Sequence, residues 1–179
     1  VETCSHIARC PEAGRALAFA QSTDELNLWL SANKTHPDLK SLLLRYTRGR
    51  GTVSCLECAI SLDLPSHLHD LARSQDVIGW DSYMMGMLST QMAAVQSVYL
   101  LQHHSTLPVS NWLSGLITQL LQVTHCQWIY RCVLVHDQAT GTLISAHKEE
   151  LLKEIEHQLG LGDKGLTEED RFLLECNFD

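Results

Sequence analysis

The sequence predicts an all-α fold, and three observations carry that prediction. Glycine and proline are scarce, at 10 and 4 of 179 residues, so few positions interrupt a helix. Apolar residues recur at three- and four-residue spacing, which builds one helical face after another. Only residues 51–64 have strand-like or irregular character.

The elements follow in order. Ser22-Thr23-Asp24-Glu25 reads as a capping-box start, with Leu26, Trp29 and Leu30 on one face. His36-Pro37 opens a second helix that carries Leu39, Leu42, Leu43 and Tyr46 and runs out at Gly49-Arg50-Gly51. Residues 51–64 are expected as an irregular loop holding Cys55-Leu56-Glu57-Cys58. A long helix is expected over about 75–104, ended by Ser105-Thr106-Leu107-Pro108. A second long helix covers about 110–136, with Leu113, Leu116, Ile117, Leu120 and Leu121 at core spacing, so that the two form a helical hairpin. Asp137-Gln138-Ala139-Thr140-Gly141 reads as a turn. An amphipathic helix follows from Ser145 to Gly160, with Leu151, Leu152, Ile155 and Leu159 inward and Glu149 paired with Lys153 outside. Thr167-Glu168-Glu169-Asp170 caps a last short helix. At 45% hydrophobic, residues 1–179 suffice for one helical domain around a sizeable core.

Charge is unevenly spread. Residues 82–130 contain no Asp, Glu, Lys or Arg, and the C-terminal segment 137–179 holds eleven acids against four bases. The net charge of −8 argues against broad, non-specific nucleic-acid binding, which rests on phosphate neutralisation. A membrane hairpin is not expected, because Gln91, Gln96, Gln102, His103, His104, Asn111, Gln119, Gln122 and His125 interrupt the uncharged run. Seven cysteines, an odd number with no secretory leader, read as a reduced intracellular protein, nuclear or cytoplasmic. The start at Val1 reads as a fragment of a longer polypeptide or a trimmed one.

Arg131 ends the uncharged run, on the most apolar of the expected helices, and His136 follows five positions later. A cation there is either paired or functional. Pairing with Asp81 or a C-terminal acid is the structural reading. The spacing R-x4-H resembles that of HEPN domains, all-α bundles that often act as metal-independent RNases. The resemblance implies a dimer in which His136 is the general acid/base on a ribose 2′-hydroxyl and Arg131 stabilises the phosphorane. Cys132 stands where that family prefers Asn.

A second resemblance spans more of the chain. Glu2-Thr3-x-x-His6-x3-Cys10-Pro11 resembles the second half of the zinc-binding motif downstream of the polymerase in non-LTR-type retroelement reverse transcriptases. His125-x2-Trp128-x2-Arg131-Cys132 resembles the W-x2-R-N helix of the same proteins, and Leu166-x-Glu168-Glu169-Asp170-Arg171-Phe172-Leu173-Leu174-Glu175 resembles their C-terminal segments. It implies that residues 1–20 are the remnant of a zinc motif and that His6 and Cys10 are two of four ligands. Cys4 would add a third, and Cys55 and Cys58 the missing pair. Zinc is the only cofactor this sequence suggests.

Lys40, Arg45, Arg48 and Arg50 form the one basic cluster, read either as an ordinary helix end or as phosphate contacts for RNA or DNA. His67-x-His69 and His103-His104 read as loop histidines without a ligand partner. The sequence thus favours a non-catalytic helical accessory domain of a retroelement-type reverse transcriptase, contacting nucleic acid or a partner subunit. The HEPN-like RNase is the alternative. The third reading is an interaction module that homo-oligomerises, or docks on a larger polypeptide, through the uncharged helices.

Overall fold

A computed structural model describes Arg9 and residues 13–161, with side chains as far as Val133 and at Glu150, Lys153 and His157. Among the described residues there are seven helices and no strand: α1 (Ala13–Ala32), α2 (Pro37–Arg48), α3 (Cys55–Ser61), α4 (Ser66–Ile78), α5 (Trp80–Met84), α6 (Thr90–Gln102) and α7 (Val109–Leu161). The fold is all-α, as the spacing of apolar residues predicts. The chain divides into two compact units, Val1–Cys132 and Val133–Asp179, a finer division than the single expected domain.

Four elements differ from expectation, each for a local reason. α1 begins nine residues before Ser22, so the expected cap lies inside a helix. The Ser22 and Thr23 hydroxyls donate back to the carbonyls of Phe19 and Ala20, at 3.1 and 2.9 Å, and cap nothing. Residues 55–61, expected as loop, form α3. Its capping box is complete: the Ser54 hydroxyl accepts from Glu57 N–H, and the Glu57 carboxylate accepts from Ser54 N–H at 2.7 Å. Asp76 adds a second cap from α4, taking the N–H groups of Cys55 and Leu56 at 2.6 and 3.0 Å.

The expected 75–104 helix is three pieces. Gly79 and Gly86 both have φ of 85°, a conformation glycine adopts at low cost, and each bends the chain. Buried Gln75 holds the second bend, its amide donating to Met87 O at 3.1 Å and accepting from Ser89 N–H at 3.0 Å. α7, in contrast, continues through residues 137–141, where a turn was expected. That stretch has no proline and one glycine, which costs a helix only about 1 kcal/mol. The expected last helix at Thr167 lies outside the described residues.

The core of the first unit draws on every helix. Phe19, Leu26 and Leu30 of α1 meet Leu39, Leu42, Leu43 and Tyr46 of α2, with Leu68 and Leu71 of α4 behind them. Trp112, Leu116, Leu120 and Val123 are the contribution of α7. Two of its buried polar tips pair with each other or with backbone: Trp80 Nε1 donates to Tyr46 O at 3.1 Å, and the hydroxyls of Tyr83 and Thr47 lie 3.1 Å apart. The buried Gln127 amide on α7, in contrast, has no hydrogen-bond partner among the described residues.

α1 and α7 are held together by two reciprocal notches. Gly14 on α1 receives the Tyr130 ring from α7, and Gly115 on α7 receives the Trp29 ring from α1, each in space a Cβ would fill. Gly14 and Trp29 have the same separation in sequence as Gly115 and Tyr130, about 22 Å of helix. The two helices therefore run antiparallel over that length. This pairing sets which side of α7 faces outward.

Candidate functional site

With Trp112, Leu116, Leu120 and Val123 turned inward, the opposite side of α7 is left to solvent. Leu121, His125, Trp128 and Ile129 occupy it at four-, three- and one-residue steps, which keeps them on one face. Leu121 and Ile129 are exposed, and Trp128 is 52% exposed. Its ring stacks on His125 at 6.0 Å between centroids and an interplanar angle of 12°. One turn towards the N-terminus lies a shallow depression of about 250 Å³ lined by Thr118, Leu121, Gln122 and His125. This face therefore carries a knob and a hole about 10 Å apart, and no charged residue from Ser82 to Tyr130 interrupts it. Contiguous exposed apolar groups, unlike apolar residues scattered singly over a surface, mark a place of contact.

Arg131, next to this face, is half-buried and has a partner within the fold. Asp81, one of the acids expected to pair with it, takes Arg9 at 3.3 Å, and the same guanidinium lies 5.5 Å from the Trp80 ring. Arg131 lies in the first unit, one residue before its end, and His136 lies in the second. The His136 side chain is outside the described residues, as are His6 and Cys10.

Cys55 and Cys58 are core residues, with α3 presenting both inward. Burial pushes the Cys55 thiol up, and the Asp76 carboxylate beside it pushes further; burial also raises Cys58, against a smaller lowering by Arg45. Both side chains are buried in the core, Cys55 at 2% and Cys58 at 1% exposure. Among the described residues no three His, Cys, Asp or Glu side chains are placed to hold a metal.

The basic cluster is largely committed to the fold. Lys40 donates to Ser31 Oγ at 2.7 Å, Arg48 pairs with Asp24 at 2.8 Å, and Arg50 lies 4.1 Å over the Phe19 ring. Arg45 is exposed on α2. The exposed Arg48–Asp24 pair is worth little in stability, yet it already answers the charge that a phosphate would need.

Sequence reading missed an imidazole group. His36, His67, Tyr99 and His103, from three separate stretches, converge beside a cleft of about 450 Å³. His36 meets Tyr99 edge-on at 5.0 Å and His67 at 6.4 Å, and Tyr99 packs on His103 at 4.3 Å. His36 is the N-cap of α2: its Nδ1 accepts from Asp38 N–H at 3.2 Å. That bond fixes the neutral tautomer, with its proton on Nε2. Burial lowers the His36 pKa; Asp38 opposes this, and His67 and His103 add to it. The only sequence signal was His36-Pro37 itself, since histidine with a free lone pair can cap a helix as Asn or Asp does.

No helix among the described residues is long and apolar enough to cross a membrane. No family model matches the chain, and no curated protein or solved structure matches it either.

Proposed function

We propose that this chain is a non-catalytic helical docking module that pairs with a second copy of itself through the outward face of α7. The observation that carries the reading is the knob and hole on one uncharged face. A two-fold antiparallel pairing centred near His125 seats each Trp128 in the partner's Thr118–His125 depression, so one contact is made twice. Each protomer has a net charge of −8, and contact through a face without charge avoids like-charge repulsion. Covering the remaining surface of both Trp128 rings, roughly 100 Å² each, supplies on the order of 5 kcal/mol before ordering costs.

The reading agrees with a partner-subunit role in an accessory region of a retroelement-type reverse transcriptase, the resemblance carried by Trp128 and Arg131. Nucleic-acid contact by Lys40, Arg45, Arg48 and Arg50 is less favoured, because three of the four already have partners, Lys40 on Ser31, Arg48 on Asp24 and Arg50 over the Phe19 ring. The HEPN-like alternative keeps Arg131 and His136 as its pair. Light scattering on the purified chain, with labelled single-stranded RNA added in EDTA, separates the three. Docking predicts twice the chain mass, intact RNA and no salt-sensitive binding. A monomer refutes docking; cleavage that His136→Ala abolishes establishes the RNase.

A further inference from the structure

The imidazole cleft lies within the first unit and has no part in the α7 face. Its floor is apolar, formed by Ala94, Val95 and Val98 of α6, and its rim is polar, with His36, His67 and Gln102. Among the described residues, no Lys, Arg, Asp or Glu lines it. At about 450 Å³ it falls within the range of small-molecule sites, most of which combine apolar walls with a few fixed polar groups.

The polar groups have a common sense. His36 Nδ1 is occupied as a cap acceptor, so the opposite edge of its ring presents an N–H donor. His67 is the second residue of α4, whose N-cap is Pro65 and which has no side-chain cap. The cleft therefore lies beside the positive ends of α2 and α4, with donors on its rim; Asp38 in the first turn of α2 is the carboxylate nearest His36 and is not among the lining residues. Asp38 on α2, Tyr99 on α6 and His103 beyond α6 are the other titratable groups facing His36. A free phosphate would leave the apolar floor unused, and a neutral hydrocarbon would leave the donors unpaired.

We infer that this cleft binds a small carboxylate with a flat apolar body. The body rests on Ala94, Val95 and Val98, and the acid group accepts from His36 Nε2–H and the His67 imidazole. Because His36 donates while neutral, binding leaves the α2 cap intact. Gln96 fixes the same histidine from behind, accepting from His36 N–H at 3.0 Å and donating to Lys34 O at 2.9 Å, so the donor is held in place before any ligand arrives.

The test is titration of the full chain with 2-naphthoate and with its uncharged counterpart 2-naphthamide, followed by NMR of the Val95 and Val98 methyls and the His36 ring. Saturable shifts at those signals are expected, with naphthamide roughly tenfold weaker, since a charged acceptor strengthens each hydrogen bond. His67→Gln, at an exposed position, should cost naphthoate several-fold and naphthamide less. Val98→Glu, also exposed, should abolish naphthoate binding while the fold persists. Absence of saturable shifts, equal affinity for acid and amide, or wild-type binding by Val98→Glu overturns the inference.

Discussion

Replacing Gln96 by leucine should destabilise the first unit far more than its size suggests. Gln96 is fully buried on α6, and its amide makes two hydrogen bonds across 60 residues of sequence, to His36 N–H and Lys34 O. Those groups belong to the loop between α1 and α2, which has no regular secondary structure to satisfy them. Leucine removes both bonds and leaves a donor and an acceptor behind, each costing about 1–3 kcal/mol when buried. Both are partly accessible from the loop side, so a total of about 2–4 kcal/mol is expected. In urea the midpoint should fall by about 1–2 M with the slope unchanged, given slopes of about 1–3 kcal/mol/M for small proteins. Gln96→Glu should be no better. It retains the acceptor for His36 N–H but loses the donor to Lys34 O and buries a charge. A loss below about 0.5 kcal/mol for Gln96→Leu would refute the idea that this amide fastens the loop.

Gly115→Ala should destabilise by about 1–3 kcal/mol despite alanine's better helix propensity, because the new methyl meets the Trp29 ring; chemical denaturation with Ser114→Ala as an exposed control checks it. Iodoacetamide labelling read by mass spectrometry should modify Cys126 and Cys132, both half-exposed, well before Cys55 and Cys58, and fast labelling of Cys55 would contradict its place in the core. His36 should make stability fall in acid. Its folded pKa is lowered, so the unfolded chain binds the proton more readily, and the stability present above about pH 6.5 is lost as pH drops from there through the depressed folded value. His36→Asn, a cap without that proton equilibrium, should flatten that slope between pH 7.5 and 5.

Much of the fold was legible because it depends on periodicity. The leucines of α2, and Leu116 and Leu120 of α7, fall where three- and four-residue spacing puts them, whereas Leu121, expected in the core, lies on the exposed face because Trp112 and Val123 set the inward side of α7. What stayed hidden depends on contacts distant in sequence. Ser22-Thr23-Asp24-Glu25 satisfies the rule for a helix start, yet the Ala-rich segment before it is a strong helix former, and the hydroxyls simply turn back on the preceding turn. The break around Gly86 rests on Gln75, and the imidazole group forms only once α6 lies against the starts of α2 and α4. Cys55 and Cys58 were expected in an irregular loop, but they lie on α3, whose helical phase turns both thiols into the core. Trp128 and Arg131 were singled out for their motif; the exposure of one and the half-burial of the other follow from the α1–α7 notches, which no spacing reveals.

Self-pairing through α7 is tested most directly by sedimentation equilibrium of wild type, Trp128→Glu and Leu28→Glu over a range of concentrations. Leu28 on α1 is 69% exposed, so it offers the same chemical change on another surface. Self-pairing gives a dimer for wild type and Leu28→Glu, and a monomer for Trp128→Glu, which places two carboxylates in the pairing and removes both aromatic knobs. A wild-type monomer at every concentration, or a dimer that Trp128→Glu leaves intact, would contradict it.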